Sequence, residues 1–155
     1  MNIRLATWVD QDAVFQLLNQ LGEVINENVN SDPKNTQSHV YGRDAFVKAL
    51  KADHIKIIII ETDEKIVGLA SFYIFCDLIS GSKFAHIDDF IIDKNHRNRG
   101  VGSYFMKKLL MYAQENQIET VKLTSSIQLT KAHAFYEKCG GVYAQKVIKF
   151  DTSAL

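Results

Sequence analysis

The chain has 155 residues, 46% of them apolar and only one a proline, which fits one compact domain with a sizeable core and excludes a disordered or collagen-like chain. Lys plus Arg and Asp plus Glu both number 18, so bulk charge favours neither nucleic acid nor an anionic membrane as partner. The opening Met1-Asn2-Ile3-Arg4 and the lack of a long apolar run predict no signal peptide and no membrane span. Two cysteines without metal-ligand or redox spacing predict buried or reduced thiols and a cytoplasmic setting.

Residues 3–6 predict a short strand, with Thr7 and Asp10 as rival helix caps, and Ala13, Val14, Leu17, Leu18 and Leu21 mark one helical stripe. The polar run 22–42, with Asn26, Asn28, Asn30, Asp32 and Pro33, predicts a loop that starts with at most a helical turn. Residues 43–53 predict a second helix with Ala45, Phe46, Ala49 and Leu50 inward. Four consecutive isoleucines within 56–61 predict a buried strand, the polar residues 62–65 a tight turn, and 66–75 the returning strand of a hairpin. Gly68 within it signals a bulge or a close backbone contact. Residues 78–83 connect to a third antiparallel strand.

That third strand, through Ile87-Asp88-Asp89-Phe90-Ile91-Ile92, is apolar except for two carboxylates. A basic glycine turn follows, from Lys94 to Gly102, and then a helix whose stripe is Phe105, Met106, Leu109, Leu110 and Ala113. A strand, a glycine turn and a helix N-terminus form a place to hold phosphate, because the first helical N–H groups lack intrahelical partners and carry the positive dipole end. Residues 120–125 predict a strand, parallel to its predecessor through a right-handed crossover. Residues 131–138 predict a short helix stopped by Gly140-Gly141, and 142–150 a closing strand.

Arg97-Asn98-Arg99-Gly100-Val101-Gly102 resembles the R/Q-x-x-G-x-G/A turn of the GNAT superfamily of acyl-CoA-dependent N-acyltransferases. The run Ala132-His133-Ala134-Phe135-Tyr136-Glu137-Lys138-Cys139-Gly140 is similar to the family's A-x-x-x-Y-E-K-x-G segment. Leu129 stands where the family commonly has asparagine, and Gly141 where it has phenylalanine. The element order resembles the same family along nearly the whole chain. The resemblance implies an α/β (α+β mixed-sheet) fold, about six or seven strands flanked by about four helices, forming a single N-acetyltransferase domain over residues 1–155.

It further implies acetyl-CoA as co-substrate, with pyrophosphate at Arg97, Asn98, Arg99, Gly100, Val101, Gly102 and Ser103. Pantetheine would lie along Phe90, Ile91 and Ile92 where the Ile87 and Val121 strands splay apart, with His133 and Tyr136 close by. Tyr136 would be the general acid for the departing thiolate; on stripe position alone it reads equally as a core tyrosine. By position in the family's acidic pair, Asp88 would serve the acceptor amine, with Asp89 beside it. The residues themselves also allow one or both carboxylates to cap backbone N–H groups at a bulge. Glu23, Glu27, Tyr41 and Ser125 are the acceptor-site candidates.

The activity so implied is direct attack of a primary amine, small-molecule rather than peptide, on acetyl-CoA in a ternary complex. The rival is a silent acyl-CoA-binding module on the same fold. A Rossmann-type dinucleotide enzyme is excluded, because its G-x-G-x-x-G would follow the first strand of a βαβ unit. The histidines form no convergent ligand set, so no metal is expected. No nucleic-acid or membrane partner is expected, and a homodimer stays open.

Overall fold

A computed structural model of the chain describes residues 1–28 and 43–148. Five strands form one mixed sheet in chain order: β1 (Asn2–Leu5), β2 (Ile55–Thr62), β3 (Lys65–Cys76), β4 (Lys83–Ile92) and β5 (Ile118–Leu123). The first four are mutually antiparallel, and β5 joins β4 in parallel. Helices α1 (Gln11–Asn28) and α2 (Arg43–Lys51) cover one face, and α3 (Val101–Glu115) and α4 (Thr130–Lys138) the other.

Strand alternation sorts the core into two layers. Ile58, Ile60, Ala70, Phe72, Ala85, Ile87 and Ile92 pack with Phe105, Met106 and Leu109 of α3. Ile57, Ile59, Leu69 and Ile91 pack with Val14 and Leu17 of α1 and Phe46 of α2. The isoleucine run of β2 thus serves both layers, which explains its unbroken apolarity.

Several boundaries depart from the sequence reading. Helix α1 continues to Asn28, not ending near Gly22, because Val24 and Ile25 stay half-buried and Asn28 Nδ2 donates to Val24 O at 2.7 Å. Leu110 and Ala45 are exposed, not inward. Over 142–148 the expected closing strand does not form: Val142, Tyr143, Val147 and Ile148 are exposed, and no described strand pairs with them. Strand propensity without a ladder partner does not make a strand. The described sheet therefore has five strands, not six or seven, while the expected four helices are present.

Gly68 meets both expectations made of it. The β2–β3 register slips between Ile60 and Glu61, and a Cβ on Gly68 would stand 2.6 Å from Ile60 Cγ2 and 2.6 Å from Ile92 Cδ1. The β2–β3 turn uses Asp63 and Glu64 at φ 49° and 62°, the left-handed pair that a two-residue hairpin turn requires. At the end of α4, Gly141 N–H bonds Tyr136 O at 2.9 Å and Gly140 N–H bonds Glu137 O at 2.9 Å, a Schellman stop with Gly140 at φ 92°.

The N-terminus is tied down electrostatically. Arg4 donates twice to Asp10, at 2.7 and 2.8 Å, and also to Glu61 at 2.6 Å. Of the two cap candidates Thr7 takes the N-cap, and the buried Asp10, three residues on, reaches back to accept the Thr7 N–H at 2.7 Å.

Two predictions follow from this packing. Gly68→Ala forces a methyl against two isoleucines and lowers stability by about 1–3 kcal/mol, read by urea unfolding; unchanged stability would show that the contact relaxes freely. The Arg4 guanidinium holds the Asp10 carboxyl at about 2 against an ordinary 3.8. A carboxyl whose folded value is depressed contributes stability that is complete above the ordinary value and lost as pH falls through the folded one. Melting temperature should therefore fall more steeply from about pH 4 to about pH 2 in the native chain than in Asp10→Asn.

Candidate active site

The site begins where β4 loses a neighbour. Pairing with β5 runs from Lys83–Ile118 to Ile87–Leu123 and stops, while β4 continues to Ile92. Past Ile87 only β3 remains beside it, in the pairs Ala70–Phe90, Leu69–Ile91 and Gly68–Ile92. Asp93 N–H donates to Val67 O at 2.9 Å, which makes Gly68–Ile92 a non-hydrogen-bonded pair, as is Ala70–Phe90 two residues earlier. The backbone N–H and C=O of Phe90 and Ile92 therefore point away from β3, into the gap beyond the end of β5. Ile91 is the hydrogen-bonded partner of Leu69, so its backbone faces β3 and its side chain joins the α1–α2 layer.

A bulge sits at the head of this gap. Phe72 pairs with Ile87 and Ala70 with Phe90, leaving Ser71 opposite both Asp88 and Asp89. Ile87 and Phe90, three apart, consequently reach the same α3 layer. Asp88 is exposed. Asp89 turns to the α1–α2 face, where its Oδ2 accepts the Ser71 hydroxyl at 2.7 Å while Ser71 Oγ accepts the Asp89 N–H at 2.9 Å. Burial pushes the Asp89 carboxyl above the ordinary carboxylate value and the nearby Asp88 charge adds to this, while the Ser71 hydrogen bond opposes it. Asp89 and Tyr73 stand in the lining of a cleft of about 150 Å³ between α1, α2 and the sheet.

At the other end of the gap, the basic turn is clamped from both sides. Asp93 accepts from Asn95 N–H at 2.9 Å and lies 2.9 Å from His96 Nδ1, shaping a 3-10 turn at Lys94–His96. Gln20 of α1 donates to Asp93 at 2.8 Å and accepts Lys94 N–H at 3.0 Å. Arg97 Nε donates to Ile92 O at 2.8 Å, so this arginine closes the turn onto the strand end, while Arg99 is exposed at the mouth. Asn98 and Gly100 take φ 59° and 79°, and Gly100 caps α3 with no side-chain hydrogen bond. Tyr104 N–H is bonded to Gly100 O; the N–H groups of Val101, Gly102 and Ser103 belong to the first turn, which no intrahelical carbonyl serves. Val101 buries its side chain in the core, leaving only its backbone for a ligand.

Gly102 brings α4 close: a Cβ there would lie 3.3 Å from Phe135 Cε2. Phe135 stacks on Phe90 at 5.5 Å, and Phe90 on Phe105 at 5.6 Å. Tyr136 packs edge-on to Phe90 at 6.3 Å and to Phe135 at 5.3 Å. Burial, with Cys139 adding to it, pushes the Tyr136 hydroxyl above its ordinary value, so it stays protonated at neutral pH and can donate. Both sequence readings of Tyr136 thus have a physical counterpart, since the ring packs with core aromatics on the α3–α4 side of the gap. His133 is half-buried, its ring edge-on to Tyr143 at 6.1 Å.

The other acceptor candidates are not gathered here. Glu23 and Glu27 are exposed on α1 and absent from the cleft lining; Glu23 is eight residues beyond Phe15, about 12 Å along the axis. Ser125 is half-buried in the segment after β5, and Tyr41 lies outside the described residues. Sequence reasoning missed Ser71 and Gln20, which set the bulge and clamp the turn. A serine amid the apolar run of β3 was the one visible signal.

The open β4 edge leads to a glycine turn whose following helix N-terminus has first-turn N–H groups without intrahelical carbonyls, the chemistry that suits a phosphate. No group of three or more His, Cys, Asp and Glu that could hold a metal occurs among the described residues, and no described helix is long and apolar enough to cross a membrane.

Solved structures share this fold. The BH1408 protein of Bacillus halodurans, in a mutant form, superposes with a TM-score of 0.82 at 20% identity, covering 97% of this chain and 99% of that one. An aminoglycoside acetyltransferase from an uncultured soil metagenomic sample, in complex with sisomicin, gives 0.79 at 18% identity, covering 98% and 95%. Glucosamine-6-phosphate N-acetyltransferase from Arabidopsis thaliana gives 0.73 at 22% identity, covering 98% of each. At such identities the likeness speaks for fold alone. The acetyltransferase (GNAT) family model matches residues 21–141, from the last turns of α1 through the glycine turn to Gly141, and the chain belongs to that family.

Proposed function

We propose that residues 1–155 form one acetyl-CoA-dependent N-acetyltransferase domain acting on a primary amine of a small molecule, by direct attack in a ternary complex. The observation that carries this reading is the gap past Ile87, with a half-buried carboxyl on one sheet face and a half-buried phenol on the other. The family uses acetyl-CoA, and two of the similar structures are named for acetyl transfer to amine-bearing substrates. An exposed unpaired thiol at Cys76 fits a reducing, cytoplasmic setting.

The division of labour follows from position. Backbone N–H groups of Val101, Gly102 and Ser103, with Arg99 at the mouth, hold the pyrophosphate. Phe90 and Ile92 offer their free peptide groups to pantetheine, as an added strand would use them. Asp89, on the α1–α2 face, receives the acceptor and takes a proton from its nitrogen; its place in the cleft, and a carboxyl that burial pushes above the ordinary value, suit it to the base role. The amine nitrogen, neutral once its ammonium form has released one proton to solvent, bonds to the thioester carbonyl carbon as the carbon–sulfur bond breaks, with that electron pair leaving on sulfur; the proton that Asp89 takes is the one shed by the nitrogen on forming the amide. Tyr136 donates its proton to the sulfur, and solvent returns the proton of Asp89 to the phenolate. The products are an amide and a thiol, with both side chains restored.

Two measurements test the assignment. Tyr136→Phe keeps the ring contacts and coenzyme A affinity, while single-turnover acetyl transfer falls by as much as about 10²–10⁴-fold, less where water substitutes; a native single-turnover rate would remove the hydroxyl from the mechanism. Because Asp89 works only when ionised, the native rate should fall as pH drops through its raised pKa, giving an acidic limb above the ordinary carboxylate range. Asp89→Asn should lose that limb along with most of the rate; an unchanged pH profile would return Asp89 to a structural role. Coenzyme A binding with no transfer to any amine in a broad panel would favour the silent module instead.

A further inference from the structure

The cleft that Asp89 enters has a chemistry of its own. Its walls come from Phe15 and Leu18 of α1, Phe46 and Ala49 of α2, and Ile57 and Leu69 of the sheet. Phe15 and Phe46 stand edge-on at 5.9 Å. The polar groups in its described lining are Ser71, Tyr73 and Asp89, all at the sheet. Ser71 Oγ is already engaged twice with Asp89. The described lining contains no lysine, arginine or histidine to meet a phosphate and little to satisfy hydroxyl groups.

Resting on the acetyltransferase reading above, we infer that the acceptor is a primary amine on a compact apolar group of about the size of a phenyl ring. It would bind with its ammonium at Asp89 and its ring against the edge-on pair of Phe15 and Phe46. Size and charge both support this. The inner part of the cleft, about 150 Å³, matches the volume of an apolar cavity that holds benzene, so a three-ring amino sugar would place at most one ring inside it. The one ionisable acid in the described lining is complementary to an ammonium and repels a phosphate. A hydroxylated amino sugar would leave hydroxyl groups unpaired against phenylalanine, each at a loss of roughly tenfold or more in affinity. The edge-on aromatic pair supplies the arrangement that a third ring joins without strain.

The test uses the whole chain with coenzyme A present and 2-phenylethylamine, ethanolamine, glucosamine 6-phosphate and sisomicin as probes. Calorimetry reports binding, and thiol release from acetyl-CoA reports transfer. We expect 2-phenylethylamine to exceed ethanolamine by about 10–100-fold in both readouts, the value of one buried ring. The two sugar amines should trail it. Ala45→Phe, an exposed α2 residue that lines the cleft, should fill the space and weaken 2-phenylethylamine binding by about tenfold or more while coenzyme A affinity holds. Phe46→Leu, which stays apolar, should shift preference toward branched alkylamines. Faster transfer to either sugar amine, or 2-phenylethylamine affinity unaffected by Ala45→Phe, would overturn the inference and leave the acetyltransferase reading standing. Cleft-dependent binding of 2-phenylethylamine without acetylation would do the reverse: the pocket assignment survives and the proposed reaction falls.

Discussion

The structure depends on one strand being paired on both sides for half its length and on one side for the rest. Up to Ile87, β4 is a central strand between β3 and β5; beyond Ile87 its outer backbone groups face a gap. Backbone polar groups at such a depth need partners. The chain meets one of these demands itself, by returning Arg97 to the Ile92 carbonyl. The remaining groups of Phe90 and Ile92 are an edge ready for an extended ligand. After that edge the chain passes through the basic turn into α3, whose first-turn N–H groups have no intrahelical carbonyl.

The Ser71 bulge is what makes this opening chemically two-sided. Without the extra residue in β4, alternation after Ile87 would exchange the two faces: Phe90 would leave the stack of Phe105 and Phe135, and Asp89 would point at α3. With it, an aromatic column packs against Tyr136 on one side while a half-buried carboxyl stands on the other. Burial raises the pKa of both groups, as the proposed roles of a phenol that keeps its proton and a carboxylate that accepts one would need.

Rigidity around the site comes from elements distant in sequence. Gln20 on α1 holds the turn at Asp93 and Lys94, a link spanning more than seventy residues. Burial between Ile60 and Ile92 packs Gly68 directly beneath the end of β4. The helix that lines the cleft thus also steadies the turn read as the phosphate site, so the two binding regions share a wall.

Local chemistry determined much of this protein in advance. Helical stripes, the isoleucine run, the hairpin turn and the glycine turn before α3 are each properties of short segments, and the structure keeps them with shifts of a few residues. The motif residues from Arg97 to Gly102 and around Tyr136 were legible because a turn and a helix stop depend on which neighbours carry glycine. Tertiary structure alone decided the rest. Whether 142–148 becomes a strand depends on a ladder partner, and α1 outran its polar sequence because Val24 and Ile25 found cover. Which of Asp88 and Asp89 turns into the cleft could not be read from alternation, because the bulge is set by Ser71 on the neighbouring strand. A register shift belongs to a pair of strands, and no single segment encodes it.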